Sequence, residues 1–445
     1  MKSVRWEIES DCNLRCKHCF IGKVILKKNL SLDEKILVCE KLINKNVESV
    51  ALTTKEPLLN NENLDVIKKL SEANIRVLLV TNATLIDSQY ANQIVMSGLN
   101  GVAISLEGVS SKSNDEIRGK GSFKSAIKGL KLLNDSMLLM EKPISISIQM
   151  TINKYNYSEL DEILYFFDKF NINSLSVGTI SNSGNAEDNQ HIILSDDEYF
   201  TACLKLAKLY KCKPHKNFVL EFKSLSPWES ILINLLTGGN ICYYIPNCSA
   251  KEGVYSLTSD ANLIPCISLN DEYMNTKYNL LSDKLEFKWE EISNEFLDNN
   301  KELGIKGKIC EECRFRTSCT PCPASLKKDG INSSIFKKCE KAIIKVKQII
   351  KKIVANDEID KLFLNSGMYE YKNRNFEITR VYSNGVVMQQ NISLDEQEAK
   401  LIIEGKWNDL ALNYKTSENL EAFIFDMVAN DLVCIVGENS YETNF

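Results

Sequence analysis

Residues 11–20 read DCNLRCKHCF, and the reading of this stretch decides the fold. Cys12, Cys16 and Cys19 have the spacing C-x3-C-x2-C, directly after a strand-like run at residues 4–9. Iron–sulfur cubanes usually take four thiolates. Three thiolates on a tight loop leave one iron free to bind a small chelating ligand. The alternatives are a zinc site, with His18 as a possible fourth ligand, and three unrelated thiols. Structural zinc sites want four closed ligands. His18 adjoins Cys19, and a loop directly after a strand suits a cluster better.

Outward from the loop, the first half of the chain alternates strand and helix. Runs rich in Val, Ile and Leu lie near residues 4–9, 49–53, 76–81, 102–106, 144–152 and 174–180. Ser31 with Glu34, Ser195 with Glu198, and Ser393 with Glu396 read as capping boxes that open helices. Six βα units predict a parallel α/β sheet with right-handed crossovers. They make a partial (β/α)6 TIM-type barrel, two units short of closure, with its chemistry at the C-terminal strand ends.

From about residue 235 to 340 the periodicity fades and cysteines become dense, which predicts a loop-rich, metal-held domain. Residues 342–355, AIIKVKQIIKKIVA, form a basic amphipathic helix. Packing of its Ile/Val stripe on a neighbouring domain is preferred over a membrane-surface role. Residues 366–440 follow the order strand, Asn384-Gly385 turn, strand, helix, helix, short strand, an α+β pattern. The expected domains are 1–210, 211–340, a linker helix at 341–362, and 363–445.

Composition sets the outer bounds. The chain has 445 residues, 25% charged, with a net charge of −5. Nothing in that balance favours nucleic acid. The first ten residues lack an apolar h-region, and no run is long and apolar enough for a membrane span, so a cytoplasmic location without membrane partners is expected. Fifteen cysteines in a reducing compartment point to metal or redox ligation rather than disulfides.

Over residues 1 to about 190 the chain resembles the radical S-adenosylmethionine (SAM) superfamily. Thr54-Lys55-Glu56-Pro57 stands in the place of the family's Gly-Gly-Glu-Pro, without its two glycines. Thr81-Asn82-Ala83 resembles Thr-Asn-Gly. Ile104-Ser105-Leu106-Glu107-Gly108 is similar to Ser-Leu-Asp-Gly, and Arg118-Gly119-x-Gly121-Ser122-Phe123 matches the motif that follows. The resemblance implies a 4Fe–4S cluster on Cys12, Cys16 and Cys19 whose open iron binds SAM. Glu56, with Thr54 and Lys55, would serve the SAM amine, Asn82 and Ser105 would contact SAM, and Arg118 would pair its carboxylate. His18 would meet adenine through its backbone.

Eight further cysteines run Cys242-x5-Cys248-x17-Cys266, then Cys310-x2-Cys313-x5-Cys319-x2-Cys322, then Cys339. Alone, this array suits two zinc sites as well as clusters. It resembles the SPASM domain that follows many radical SAM cores, with Ala261 in place of a glycine and one residue fewer in the last gap. That resemblance implies one auxiliary 4Fe–4S cluster on Cys242, Cys248, Cys266 and Cys322, and another on Cys310, Cys313, Cys319 and Cys339, three clusters in all. Cys39, Cys203, Cys212 and Cys434 are left over, in apolar or helical contexts where buried packing is expected.

The C-terminal region resembles the small winged-helix-like, PqqD-like module that binds leader peptides by strand addition. A plain packing domain is the alternative. The resemblances together imply a maturase that crosslinks a ribosomally made precursor peptide bearing a leader, fed by an external one-electron reductant of flavodoxin or ferredoxin type. A maturase of a folded protein is the second reading. Its sulfatase form needs an acid after the third auxiliary cysteine, where this chain has Ile267. A non-enzymatic zinc scaffold is the third. No residue is assigned as catalytic base.

Overall fold

The computed structural model describes residues 2–435, apart from 24–28, 213–216, 243, 269–276, 283–285, 300–307, 312, 324–325, 327–332, 366, 373–374 and 383–386. The Asn384-Gly385 turn therefore lies outside the described residues. The chain divides into two compact units. The first comprises Met1–Leu194, Asn247–Gly304 and Cys322–Lys328; the second comprises Ser195–Pro246, Ile305–Pro321 and Asp329–Phe445.

In the first unit, β1 (Ser3–Glu7), β2 (Ser49–Thr53), β3 (Arg76–Thr81), β4 (Gly101–Ser105), β5 (Ser145–Ile152) and β6 (Ser174–Thr179) match the six runs read from the sequence. They pair in parallel and in sequence order, each neighbour reached through a helical crossover. This is the partial barrel. One face of the strands is aliphatic: Val50, Leu52, Val77, Leu79, Ile104 and Ile148 are almost wholly buried. Each contributes about 1.5–3 kcal/mol on burial. The register places Thr53, Ala103, Ser105, Ser147 and Ser176 on the opposite face. Small polar side chains there leave room inside the curve of the sheet.

The expected loop-rich stretch needs correction. Val254–Leu257 adds to the free edge of β1 in parallel, and Leu263–Ile264 pairs antiparallel to it. Trp289–Asn299 is helical. Four-residue and two-residue strands are too short to show a period of two, so the sequence pattern misses them.

In the second unit the basic helix runs from Ser334 to Ala355 and so begins before the expected start, with Cys339 in its second turn. Its buried face, Ala342, Ile343, Val346, Ile349, Ile350 and Ile353, packs on helices Pro227–Thr237 and Ser417–Ala429. Among the described residues no helix is long and apolar enough to cross a membrane. The boxes at Ser31 and Ser195 form as expected. The third does not. Asp395, not Ser393, is the cap, accepting from the Glu398 backbone at 2.7 Å. A carboxylate also complements the positive helix N-terminus, which favours Asp395 over the serine.

The C-terminal region holds more than the sequence pattern suggests. Met368–Lys372, Asn375–Val381 and Val387–Ile392 form an antiparallel three-stranded sheet. Leu362–Leu364 pairs with Val433–Ile435 in a second, two-stranded sheet. A short helix, Trp407–Ala411, stands between the two expected ones.

Candidate active site

The cysteine loop leaves the C-terminal end of β1 and is braced on several sides. The Glu56 N–H donates to the Asp11 carbonyl at 3.1 Å, and the Lys17 N–H donates to the Ile117 carbonyl at 2.9 Å. Asn185 Nδ2 donates to the Cys16 carbonyl at 2.9 Å, and Asn82 Nδ2 to Asn13 Oδ1 at 2.9 Å. The loop thus touches the segments after β2, β3, β4 and β6. Rigid support of this kind is what a thiolate cradle requires.

Cys12, Cys16 and Cys19 line a cavity of about 420 Å³. Of the residues expected to contact SAM, His18, Thr54, Lys55, Asn82, Ser105 and Arg118 line the same cavity. Glu56 does not. Its carboxylate lies behind the wall and is fully buried, accepting from Thr81 Oγ1 at 2.6 Å, the Asn82 N–H at 2.8 Å and the Leu58 N–H at 3.0 Å. In this structure Glu56 holds the ends of β2 and β3 together rather than pointing at the cavity. Burial raises its pKa, and those three donors oppose the rise.

Glu107 is the electrostatic centre of the opposite wall. Its Oε1 lies 2.6 Å from Arg118 Nη2 and 3.1 Å from His18 Nε2, and its Oε2 accepts from the Thr151 N–H at 2.7 Å. Burial alone would raise this carboxyl, but His18 and Arg118 outweigh it and hold it well below the usual range. Among the described residues Arg118 Nε is buried without a partner, and its Nη1 lies 3.9 Å from Cys16 Sγ. The cationic group therefore sits at the thiols, where it can pair a carboxylate. Burial pushes the Cys16 thiol up to about 11, against the pull of Arg118. Metal loading must displace that proton.

At the positions of the missing glycines the backbone takes the left-handed conformation that favours glycine. Thr54 and Lys55 have φ of 67° and 53°, Ala83 has 57°, and Ala261 has 66°. All four stand where the resembled family has glycine, and all four keep the left-handed conformation. For a β-branched residue this is a true outlier, costing about 1–3 kcal/mol. Thr54→Gly is expected to stabilise the protein by about 1 kcal/mol net, after the entropic cost of glycine. Urea unfolding should show a higher midpoint at an unchanged slope.

In the second array, Cys248 feels the charges of Cys266 and Cys322, all in the first unit. Cys339 feels Cys319 and Cys313, and Cys310 shares their unit. Cys242 belongs to the second unit and lies 3.4 Å from Ser230 Oγ, with its thiol pushed up to about 12 by burial. Among the described residues no three His, Cys, Asp or Glu side chains converge as ligands of a single metal ion. A cubane spreads its thiolates over separate irons and does not require that convergence. Of the four left-over cysteines, Cys39, Cys203 and Cys434 are buried as expected, whereas Cys212 is exposed at the end of its helix. Sequence reasoning missed Glu7, a buried acid at the C-terminal end of β1. The available signal was an acid at the chemical end of a barrel strand.

Comparison with known proteins agrees with this geometry. The sequence profile of the radical SAM superfamily matches residues 7–167. AdoMet-dependent heme synthase from Methanosarcina barkeri is 22% identical over 72% of this chain and 90% of its own length. Mycofactocin maturase MftC from Mycolicibacterium smegmatis is 27% identical, but over only 35% of this chain and 39% of its own. Among solved structures, SuiB from Streptococcus suis bound to S-adenosylmethionine superposes with a TM-score of 0.60 at 18% identity, covering 74% of this chain and 75% of its own. SuiB has also been solved with its precursor peptide SuiA.

Proposed function

We infer that this chain, an enzyme whose residues 7–167 form a radical SAM domain, modifies a ribosomally made precursor peptide. The observation that carries this reading is the C-terminal three-stranded sheet. Among the described residues Val387–Ile392 pairs only with Asn375–Val381, and an extended peptide could add as a strand along its other edge. The MftC and SuiB likenesses support a peptide substrate.

On this reading Cys12, Cys16 and Cys19 hold the SAM-binding cluster. Asn82, Ser105 and Arg118 seat SAM in the cavity, with Thr54 and Lys55 forming its rim. The bound cluster and SAM supply a 5′-deoxyadenosyl radical. Cys242, Cys248, Cys266 and Cys322, and Cys310, Cys313, Cys319 and Cys339, hold two auxiliary clusters that pass electrons. An external reductant of flavodoxin or ferredoxin type feeds them. The functional divisions are 1–210, 211–340, 341–362 and 363–445, with the linker helix reaching back to Ser334, in the cytoplasm. The bond formed is a thioether, ether or carbon–carbon crosslink.

The haem synthase relative, which spans most of this chain, favours a tetrapyrrole as second reading. One experiment separates them. The anaerobically reconstituted protein, carrying about twelve irons for three cubanes, is given SAM, dithionite and either peptides encoded beside its gene or iron coproporphyrin. A peptide that loses two hydrogens supports the first reading. Conversion of the porphyrin to haem, with peptides unchanged, overturns it.

A further inference from the structure

Glu7 is a buried acid of the first unit. It ends β1, and its register partner on β2 is Thr53, which lines the SAM cavity. Paired residues of parallel strands project to the same face, so Glu7 points inside the curve of the barrel. It is 1% exposed, and among the described residues neither carboxylate oxygen has a hydrogen-bond partner. Buried polar groups are ordinarily satisfied, and an exception calls for an explanation. Glu7 does not itself line the cavity; it sits beside Thr53, which does, at the end of the barrel where chemistry is done.

Its charged surroundings are specific to this chain. Lys55, in the loop after β2, and Asp260, in the turn after Val254–Leu257, are the groups whose charges reach it. Arg5, on the same strand face, is turned to Ser249 Oγ at 3.4 Å. Lys55 stands where the resembled family has glycine, in a backbone conformation that disfavours a side chain. A lysine held there at a cost, beside an acid left without partners, is the pattern of a site kept for function rather than stability.

We propose that Glu7 is the base that takes the proton released as the substrate's crosslink closes. This rests on the peptide reading of the site. The substrate carbon loses a hydrogen atom to the deoxyadenosyl radical, and a heteroatom X–H of the same peptide attacks it. The C–X bond forms, the X–H bond breaks, and the proton passes to the Glu7 carboxylate. The surplus electron goes to an oxidised iron–sulfur cluster. Burial drives Glu7 up to about 8, while Lys55 pulls it down and Asp260 adds to the rise. A base titrating near the working pH exchanges protons in both directions.

Two measurements on the reconstituted protein test this. Infrared difference spectra between pH 5 and pH 10 should show a protonated carboxyl that titrates near 8 in the wild type and is missing from Glu7→Gln. Peptide turnover should rise about tenfold from pH 7 to pH 9 in the wild type, following the ionised fraction of such a group. Glu7→Gln should lose peptide modification at least about 100-fold more than it loses SAM cleavage. Glu7→Asp, which keeps a carboxylate, should recover part of the turnover with a displaced pH profile. Equal losses of both activities in Glu7→Gln, or no carboxyl band assignable to Glu7, would overturn the proposal. If the wild type modifies no peptide, the peptide reading fails by itself and the infrared result decides whether Glu7 exchanges protons near neutrality.

Discussion

Cys16→Ala will leave the protein short of about four irons per chain and unable to form 5′-deoxyadenosine above background, a loss of at least about 1,000-fold. The cause is local. Cys16 is the middle thiol of the loop, and its side chain is the one that Arg118 approaches, at 3.9 Å. The braces that shape the loop run through the backbone, from Asn185 to the Cys16 carbonyl and from Lys17 to Ile117, so alanine leaves them in place. The apo variant should therefore unfold within about 1 kcal/mol of the apo wild type, as ordinary substitutions away from the core do. Cys39→Ala is the control, because Cys39 is buried in the helix Leu32–Asn44 and is not one of the proposed ligands. It should keep all its iron. Iron, sulfide and 5′-deoxyadenosine measured on the three proteins give the answer. A Cys16→Ala protein that retains full iron and SAM cleavage would refute the cluster assignment.

The second large effect falls on stability. Glu107→Ala removes the buried anion that neutralises Arg118, whose side chain is 11% exposed. Arg118 lies 2.6 Å from Glu107, and the Glu107 side chain is 2% exposed. Breaking a buried pair by deleting one partner costs about 3–5 kcal/mol, because the remaining charge is left uncompensated. Loss of the Thr151 N–H acceptor adds to this. The sign with pH follows from the depressed carboxyl. Its contribution is fully present above the unfolded value of 4.5 and is lost as pH falls through the lower folded value. The difference between wild type and variant should thus be largest at neutral pH and shrink below about pH 4.5. Urea titrations at pH 7 and pH 4 measure it. A difference that is below 1 kcal/mol at pH 7, or that grows in acid, would contradict this account.

Much of the barrel was legible because its signals are local. β2 and β3 lie within the runs read from the sequence, since each is a continuous Val/Leu stretch bounded by turns. The cysteine loop was legible for the same reason, since spacing within eight residues does not depend on the fold. The short strands Val254–Leu257 and Leu263–Ile264 were not, because they are held by pairing to β1 and to each other rather than by their own periodicity. Asp395 displaced Ser393 as cap because the helix starts at Glu396 and a carboxylate there complements its N-terminus, although both residue types are good caps.

The sequence by itself determined that three thiols follow a strand and that six βα units lead into a cysteine array. Those features are carried by spacing and residue type. Tertiary structure alone decided that Thr54, Lys55, Ala83 and Ala261 keep a glycine's backbone angles, and that Glu56 lies behind the cavity wall. It also brought Glu7, Lys55 and Asp260 within reach of one another's charge, although they lie far apart in the chain. Backbone angles and buried charge pairs are set by which strand ends the fold brings side by side, and residue identity at one position does not encode its distant neighbours.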